Sequence, residues 1–68
     1  MLNYRHYKTQ NIYTFICVGI NTKDNTDIVI YENEEGLQFS RPAEEFFGMV
    51  EVDGNIIRRF QLDSIESV

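Results

Sequence analysis

The run from Asn11 to Ile20, NIYTFICVGI, constrains the fold more than any other segment of this 68-residue sequence. It is rich in β-branched and aromatic residues and is bounded by polar clusters, which predicts a β-strand. When the run is divided by alternate positions, both sets of side chains are apolar, whereas a strand with one solvated face alternates apolar with polar residues. We therefore expect this strand to be covered on both of its faces.

A chain of this length has little core of its own. It buries only about 60% of the surface that its unfolded form exposes, so small domains often depend on a disulfide, a metal or a partner chain. The single cysteine, Cys17, excludes an internal disulfide, and together with the single histidine, His6, it cannot complete a four-ligand zinc site. We therefore predict one domain over residues 1–68 that forms a homo-oligomer and holds no metal and no cofactor.

The middle of the sequence predicts two more strands and a short helix. Residues 26–31 (TDIVIY) are again apolar at both sets of alternate positions, and residues 37–40 favour a short third strand. Pro42 suits the first position of a helix, two glutamates follow where the helix dipole favours carboxylates, and Gly48 suits its end. We expect this helix to close one end of the sheet with a phenylalanine.

The last third of the sequence contains the strongest hairpin signal, Asp53-Gly54. It joins apolar runs at 49–52 and 55–60, and a two-residue turn would pair Val52 with Asn55. Residues 61–68 have no clear period and leave two alternatives, an extension of the last strand or a loose C-terminal tail. Taken together, these segments predict a mainly β fold, a small SH3-like β-barrel of about five short strands with one short helix.

Several short motifs stand in an order that is similar to that of a known family. They are YRHYK at 4–8, DIVIY at 27–31, Arg41-Pro42, VEVDG at 50–54 and Arg59-Phe60. From about Tyr4 to about Phe60, this ordered set resembles the small β-rich bacterial and phage domain called domain of unknown function 1653. The resemblance implies a compact β-rich domain and no established activity.

The sequence departs from the family pattern at three places. Members usually carry a His-Ser/Thr-Glu turn where this chain has residues 21–25, and a Trp just before the Arg-Pro pair where this chain has Phe39-Ser40. A Pro commonly precedes the closing Arg-Phe pair, where this chain has Arg58. A ligand that the family holds through the histidine-containing turn would lose that contact here.

A candidate ligand-binding site lies in residues 4–8, where His6 lies between two tyrosines, next to Arg5 and two residues from Lys8. Cations bind phosphate and aromatic rings stack on a base. Arg41 precedes the predicted helix, where backbone amides also favour anions. This interpretation assigns a small anionic or nucleotide-like ligand to Tyr4, Arg5, His6, Tyr7, Lys8 and Arg41. The alternative is an edge strand whose rings complete the core while its charges stay in solvent, with Arg41 paired to Glu44 or Glu45.

The charge balance restricts the range of partners. Six Lys and Arg residues against 11 Asp and Glu residues give a net charge of −5, which argues against long nucleic acid. No run of about 18 apolar residues predicts a membrane span, so we expect a soluble, cytoplasmic protein. Arg58 and Arg59 face opposite sides of the last strand, and a salt bridge from them to Glu51 across the hairpin is expected.

Three classes of function remain open from the sequence. The favoured one is a non-catalytic, homo-oligomeric binding module that sequesters a small anionic or nucleotide-like ligand. The alternative is a protein–protein adaptor that uses an exposed β edge. The third is a small enzyme with His6 as general base and Cys17 or a tyrosine beside it. A domain this small leaves little room for both a core and a pocket of several hundred Å³, which disfavours the enzyme.

Overall fold

The computed structural model describes residues 1–66 and consists mainly of antiparallel β-strands. The strands are β1 Leu2–His6, β2 Ile12–Asn21, β3 Thr26–Asn33, β4 Gln38–Pro42, β5 Met49–Val52, β6 Asn55–Arg58 and β7 Phe60–Ile65, and the helix is α1 Ala43–Phe46. One sheet has the order β4-β3-β2-β1-β7, and β5 and β6 form a separate two-stranded sheet. The prediction of a mainly β fold with one short helix is confirmed. The ladder of the described strands is open, with β4 and β7 as its two ends.

The last strand, β7, lies beside the first, because it pairs antiparallel with β1. The amide of Glu66 donates to the carbonyl of Met1 at 2.8 Å, and the N-terminal amine donates back to the carbonyl of Glu66. Residues 61–65 therefore belong to strand β7 and are not a loose tail. Residues 67–68, which the sequence also assigned to a tail, lie outside the described residues.

The register between β2 and β3 decides which side chains face the core. Before a bulge at Ile16, Phe15 lies opposite Tyr31, and after it Cys17 lies opposite Ile30 and Val18 opposite Val29. Directly opposite residues of a pair lie on the same face of a sheet. Tyr31 and Val29 are buried, so their face is the core face, while Ile30 and Cys17 lie on the other face.

The core consists of four buried side chains, Val29, Tyr31, Phe46 and Phe60. Partly buried residues complete it, namely Tyr4, Tyr13, Phe15 and Ala43. Three of the four buried residues are aromatic: the ring of Phe60 stacks on that of Phe46 and meets that of Tyr31 edge to face, two arrangements that aromatic pairs favour. The core therefore joins β1, β2, β3 and β7 of the sheet to the helix.

The prediction that β2 is covered on both faces is wrong for the single chain. Ile16, Val18 and Ile20 are 39%, 50% and 57% exposed. The physical reason is that the covering elements are short: α1 has four residues and lies against β3 and β4. The second half of β2 therefore extends beyond the part of the sheet that has a partner layer.

Pro42 is the residue before the helix and not its first residue. Its φ of −51° and ψ of 136° are extended, so it ends β4, and α1 begins at Ala43. Phe46 is the phenylalanine that enters the core, whereas Phe47 is 44% exposed. Among the described residues, no helix has the length and apolar character that crossing a membrane requires.

The predicted β5–β6 hairpin is confirmed in its register. Val52 lies opposite Asn55, and φ is +51° at Asp53 and +81° at Gly54, the left-handed pair that a type I′ turn requires. The expected salt bridge to Glu51 is wrong, because Ile56 and not an arginine lies opposite Glu51. The side chain of Arg58 donates instead to the carbonyl of Phe47 at 3.3 Å.

Candidate functional site

The first three candidate residues lie on β1, and their side chains are on opposite faces of the sheet. Its register places His6 opposite Phe60 and Arg5 opposite Gln61, so Tyr4 and His6 share the core face and Arg5 does not. The ring of Tyr4 contacts the ring of Phe46 edge to face, with centroids 5.2 Å apart. Tyr4 therefore belongs to the core, as the alternative interpretation of this strand requires.

Arg5 is committed to an ion pair on the opposite face of the sheet. Its Nη2 donates to Oδ1 of Asp63 at 2.5 Å, and the side chain is 44% exposed. Exposed pairs of this kind contribute about 0–1 kcal/mol to stability. The structure therefore separates Arg5 from the other cationic candidates.

His6 lies against the core and beside three cationic groups. Its ring meets the buried ring of Phe60 edge to face at 5.1 Å, and its Nδ1 accepts a hydrogen bond from the amide of Lys8 at 3.2 Å. The neutral imidazole therefore carries its proton on Nε2. Burial lowers the pKa of His6 below 6.5, and the charges of Arg41, Arg59 and Lys8 lower it further.

Tyr7 and Lys8 lie in the turn after β1, so the strand covers only the first three of the candidate residues 4–8. The tilted ring of Tyr7 is 5.0 Å from that of His6, at an angle of 33°. The amide of Tyr7 donates to the carbonyl of Arg59 at 2.9 Å. This bond holds the turn against the junction between β6 and β7.

Arg41 reaches the same region from β4. Its Nε donates to the hydroxyl of Tyr31 at 3.4 Å, and its Cζ is 5.6 Å from the centroid of the Phe60 ring. The hydrogen bond to Tyr31 raises the pKa of Arg41 above its usual value. Its Nη1 also lies 3.4 Å from Oε1 of Glu45, so the alternative that pairs Arg41 with a helix glutamate is confirmed. With four residues, α1 is too short to offer an anion site at its N-terminus.

Arg59 is the residue of this region that the sequence assigned to a different role. Its backbone is fixed at both ends, since its amide donates to Gly48 and its carbonyl accepts from Tyr7. Its Nε is buried and has no hydrogen-bond partner within the described part of the chain. An unsatisfied buried donor costs about 1–3 kcal/mol. Apart from the salt bridge expected to Glu51, the sequence signal for Arg59 was the closing Arg-Phe motif of the family resemblance.

The remaining features of the surface do not gather around His6. A cavity of about 570 Å³ is lined by Asp24, Asn25, Thr26, Asp27, Pro42, Ala43, Glu44 and Glu45, and its carboxylates disfavour an anion. Hydrogen bonds from Thr26 lower the pKa of Asp24 below its usual value, so this carboxylate stays charged. A cavity of about 150 Å³ lies between Asn11–Tyr13 and Asn33–Glu35. Within residues 1–66, no three His, Cys, Asp or Glu side chains converge as a metal site.

A family model described as "Protein of unknown function (DUF1653)" matches residues 2–62 of the chain. No curated protein and no solved structure matches the chain. The matched range includes all the residues that lie around His6, and it ends within β7.

Proposed function

Since the chain belongs to the domain of unknown function 1653 family, whose description assigns no activity, we propose a function from its site. The chain is a non-catalytic binding module for a small anionic or nucleotide-like ligand. The ligand lies at the basic cluster, which we define as His6, Lys8, Arg41 and Arg59. The observation that carries the proposal is the buried Nε of Arg59, which has no partner in the described residues and lies within electrostatic reach of His6.

An anion supplies what this arrangement lacks. Arg59 is only partly buried, so the anion accepts from the terminal nitrogens of its guanidinium and offsets a charge whose Nε has no partner. Charge-assisted bonds of this kind are about twice as strong as neutral ones. The Nε2–H of neutral His6 is a further donor, and the anion's charge offsets the charges of Arg41, Arg59 and Lys8, which after burial lower the pKa of His6. The cluster therefore stabilises an anion through donors that are already in place.

The number of available charges favours one small group. Arg41 already shares its charge with Glu45, and the four carboxylates of the neighbouring acidic cavity repel a long polyanion. A phosphate or carboxylate fits this balance better than a nucleic acid strand. The Tyr7 ring beside His6 adds a surface on which a base stacks, so a mononucleotide binds more tightly than inorganic phosphate.

The remaining parts of the proposal follow from size and composition. The module is a small, strongly bent β domain of the SH3-like type that works as a homo-oligomer and sequesters its ligand in the cytoplasm. Catalysis is not part of the proposal, because the hydrogen bond that His6 makes through Nδ1 joins it to a backbone amide and not to a nucleophile.

The test uses inorganic phosphate, pyrophosphate, AMP and cyclic AMP, titrated into the full chain. Calorimetry gives the affinity, and the NMR shift of the His6 ring reports whether binding occurs at the basic cluster. Arg59→Gln weakens binding about tenfold or more, since it removes a charge-assisted hydrogen bond. Arg58→Gln is the matched control. It removes the same charge from the neighbouring residue, whose side chain donates to the carbonyl of Phe47 and does not belong to the basic cluster.

Two results would overturn the proposed site. If none of the four probes shifts the His6 ring, the basic cluster is not an anion site. If Arg58→Gln or Arg5→Gln weakens binding as much as Arg59→Gln, the effect is one of overall charge and not of the cluster. Unchanged thermal unfolding of Arg59→Gln shows that any loss of binding does not come from loss of the fold.

A further inference from the structure

Strand β4 places an aromatic ring beside the basic cluster. Phe39 lies opposite Tyr31 on the neighbouring strand, and Arg41 lies opposite Val29. Both of these partners are buried, so Phe39 and Arg41 share the core face of β4. Alternate residues on one face of a strand are about 7 Å apart. The side chain of Phe39 is therefore the neighbour of Arg41 along this face.

The ring of Phe39 is held in place by two other rings. It stacks on the ring of Tyr31, with centroids 5.7 Å apart and 30° between the planes. It also meets the ring of Tyr13 at 6.2 Å and 88°. Tyr31 is buried, so the stack rests on the core. A ring that is ordered before a ligand arrives loses little conformational entropy when the ligand binds.

One face of the Phe39 ring is free. The ring of Tyr13 is nearer to Tyr31, at 5.3 Å, than to Phe39, so it lies beside the two stacked rings and not on the outer face of Phe39. Phe39 is 41% exposed, and within residues 1–66 no strand lies beyond β4 in its sheet. The outer face of the ring is therefore open to a planar group.

Phe47 shows that exposure alone does not make such a surface. It is 44% exposed, but its ring meets that of Phe46 edge to face at 78° and not in a stack. It lies between α1 and β5, and the arginine near it is Arg58, which does not belong to the basic cluster. Phe39 differs from Phe47 in its stacked partner and in its place beside Arg41.

We propose that Phe39 is a base-stacking residue of the site, so that the ligand is a mononucleotide with its phosphate at the basic cluster and its base on the outer face of Phe39. This inference rests on the proposed function, because it requires a phosphate near Arg41. Every base has a π-face, and stacking on an aromatic side chain tolerates different bases. Phe39 therefore selects for the presence of a base more than for its identity.

The position of Phe39 suits a base better than that of Tyr7 does. Tyr7 follows His6 directly, and the two rings are 5.0 Å apart, so a base on Tyr7 lies close to the imidazole that donates to the phosphate. One residue separates Phe39 from Arg41 on the strand, which leaves a spacing of about 7 Å for the sugar between base and phosphate. The ring of Phe39 is also the one that lies on a strand and not in a turn.

Calorimetry of the full chain with AMP and with ribose 5-phosphate tests the inference, because the two probes differ in the base. Stacking on an aromatic side chain raises affinity about fivefold to a hundredfold, so the wild type binds AMP at least about fivefold more tightly than ribose 5-phosphate. Phe39→Leu keeps an apolar side chain, brings this ratio close to one and leaves the affinity for ribose 5-phosphate unchanged. Phe47→Leu is the matched control and keeps the ratio of the wild type.

NMR of the wild type gives a second measurement that does not depend on the fold of any variant. Nuclear Overhauser effects join the adenine protons of bound AMP to the ring protons of Phe39. Effects that join adenine to Tyr7 and not to Phe39 overturn the inference.

The calorimetric outcomes separate this inference from the proposed function. If both probes shift the His6 ring and Phe39→Leu leaves the ratio of affinities unchanged, the basic cluster stands and the role of Phe39 is overturned. An equal fall of the ratio in Phe47→Leu also overturns it, because the effect then follows any exposed ring. If neither probe shifts the His6 ring, the proposed function fails and this inference fails with it.

Discussion

The ring of Phe46 lies parallel to the ring of Phe60, with centroids 4.3 Å apart and 11° between their planes. Phe46 is 0% exposed and Phe60 is 3% exposed, so the pair forms the centre of the core. It joins a helix of four residues to β7, the last strand of the chain. A helix this short has no stability of its own, so its position depends on this contact.

Replacing Phe46 with alanine is therefore expected to remove much of the stability of the domain. Truncation of a buried phenylalanine costs about 3–5 kcal/mol, which is comparable to the whole stability of a chain this small. Phe47→Ala is the matched control, because its side chain is 44% exposed and should cost less than about 1 kcal/mol. Urea unfolding followed by circular dichroism measures both. Equal losses would contradict the assignment of Phe46 as the core residue of α1.

Gly48 is predicted to reject even the smallest side chain. A Cβ at this position would lie 2.6 Å from the backbone oxygen of Glu44, which cannot move without disturbing α1. We expect Gly48→Ala to destabilise the protein by about 1–3 kcal/mol. At Gly19 the same atom would lie 3.6 Å from Ile28, an ordinary contact, so Gly19→Ala should change stability by less than about 0.5 kcal/mol. Thermal unfolding that ranks the two variants in the opposite order would contradict this steric account.

The pKa of His6 is predicted to lie below 6.5 in the folded protein. Burial is the largest cause, followed by the charges of Arg41, Arg59 and Lys8. NMR titration of the His6 ring measures this value directly. Arg59→Gln should raise it towards 6.5, whereas Arg58→Gln should leave it unchanged. A pKa at or above 6.5 in the wild type would contradict the placement of His6 beside these groups.

The same titration has a consequence for stability. Between the folded pKa of His6 and 6.5, the unfolded chain binds more protons than the folded chain, so stability falls as pH is lowered through this interval. His6→Gln removes the contribution of this titration to the pH dependence of stability. The wild type and the variant should therefore differ in the slope of stability against pH only below about pH 6.5. A saturating anion should reduce the slope, because it favours protonated His6 in the folded state. Identical slopes for wild type and His6→Gln would contradict this linkage.

Glu45→Gln is predicted to strengthen anion binding at the basic cluster. Glu45 is the ion-pair partner of Arg41, at 3.4 Å, and it competes with an added anion for that guanidinium. An exposed pair is worth about 0.2–1 kcal/mol, so we expect affinity to rise by about twofold with little change in stability. Glu44→Gln removes the same charge from the neighbouring residue without touching an ion pair, and calorimetry should show a smaller effect. Equal gains in the two variants would point to overall charge alone.

Much of the local structure was predictable from the sequence because its causes are local. The Asp53-Gly54 turn needs two left-handed residues, and that pair of residue types indicates the turn and its register without any distant contact. The strands of residues 12–21 and 26–33 were visible in their β-branched and aromatic content. The helix after Pro42 was visible too, although its start differs by one residue.

The candidate site was predictable only in part. His6, Tyr7, Lys8 and Arg41 were named from their residue types, and the structure brings them close to one another. Arg59 was not assigned to the site, because its place in the cluster depends on the pairing of β7 with β1 across more than fifty residues. Arg5 was named as well, but the register of that pairing turns it towards Asp63 and away from the other cations.

The sequence by itself therefore determined the strands, their turns, and the excess of apolar surface that a chain of 68 residues cannot cover. Only the tertiary structure decided where that excess lies, which is the second half of β2, and which cation has a buried donor without a partner among residues 1–66, which is Arg59. The physical reason is that turns and strands follow from neighbouring residues. The placement of an edge or a buried charge follows instead from which distant strands pair and where the short β1 and α1 end.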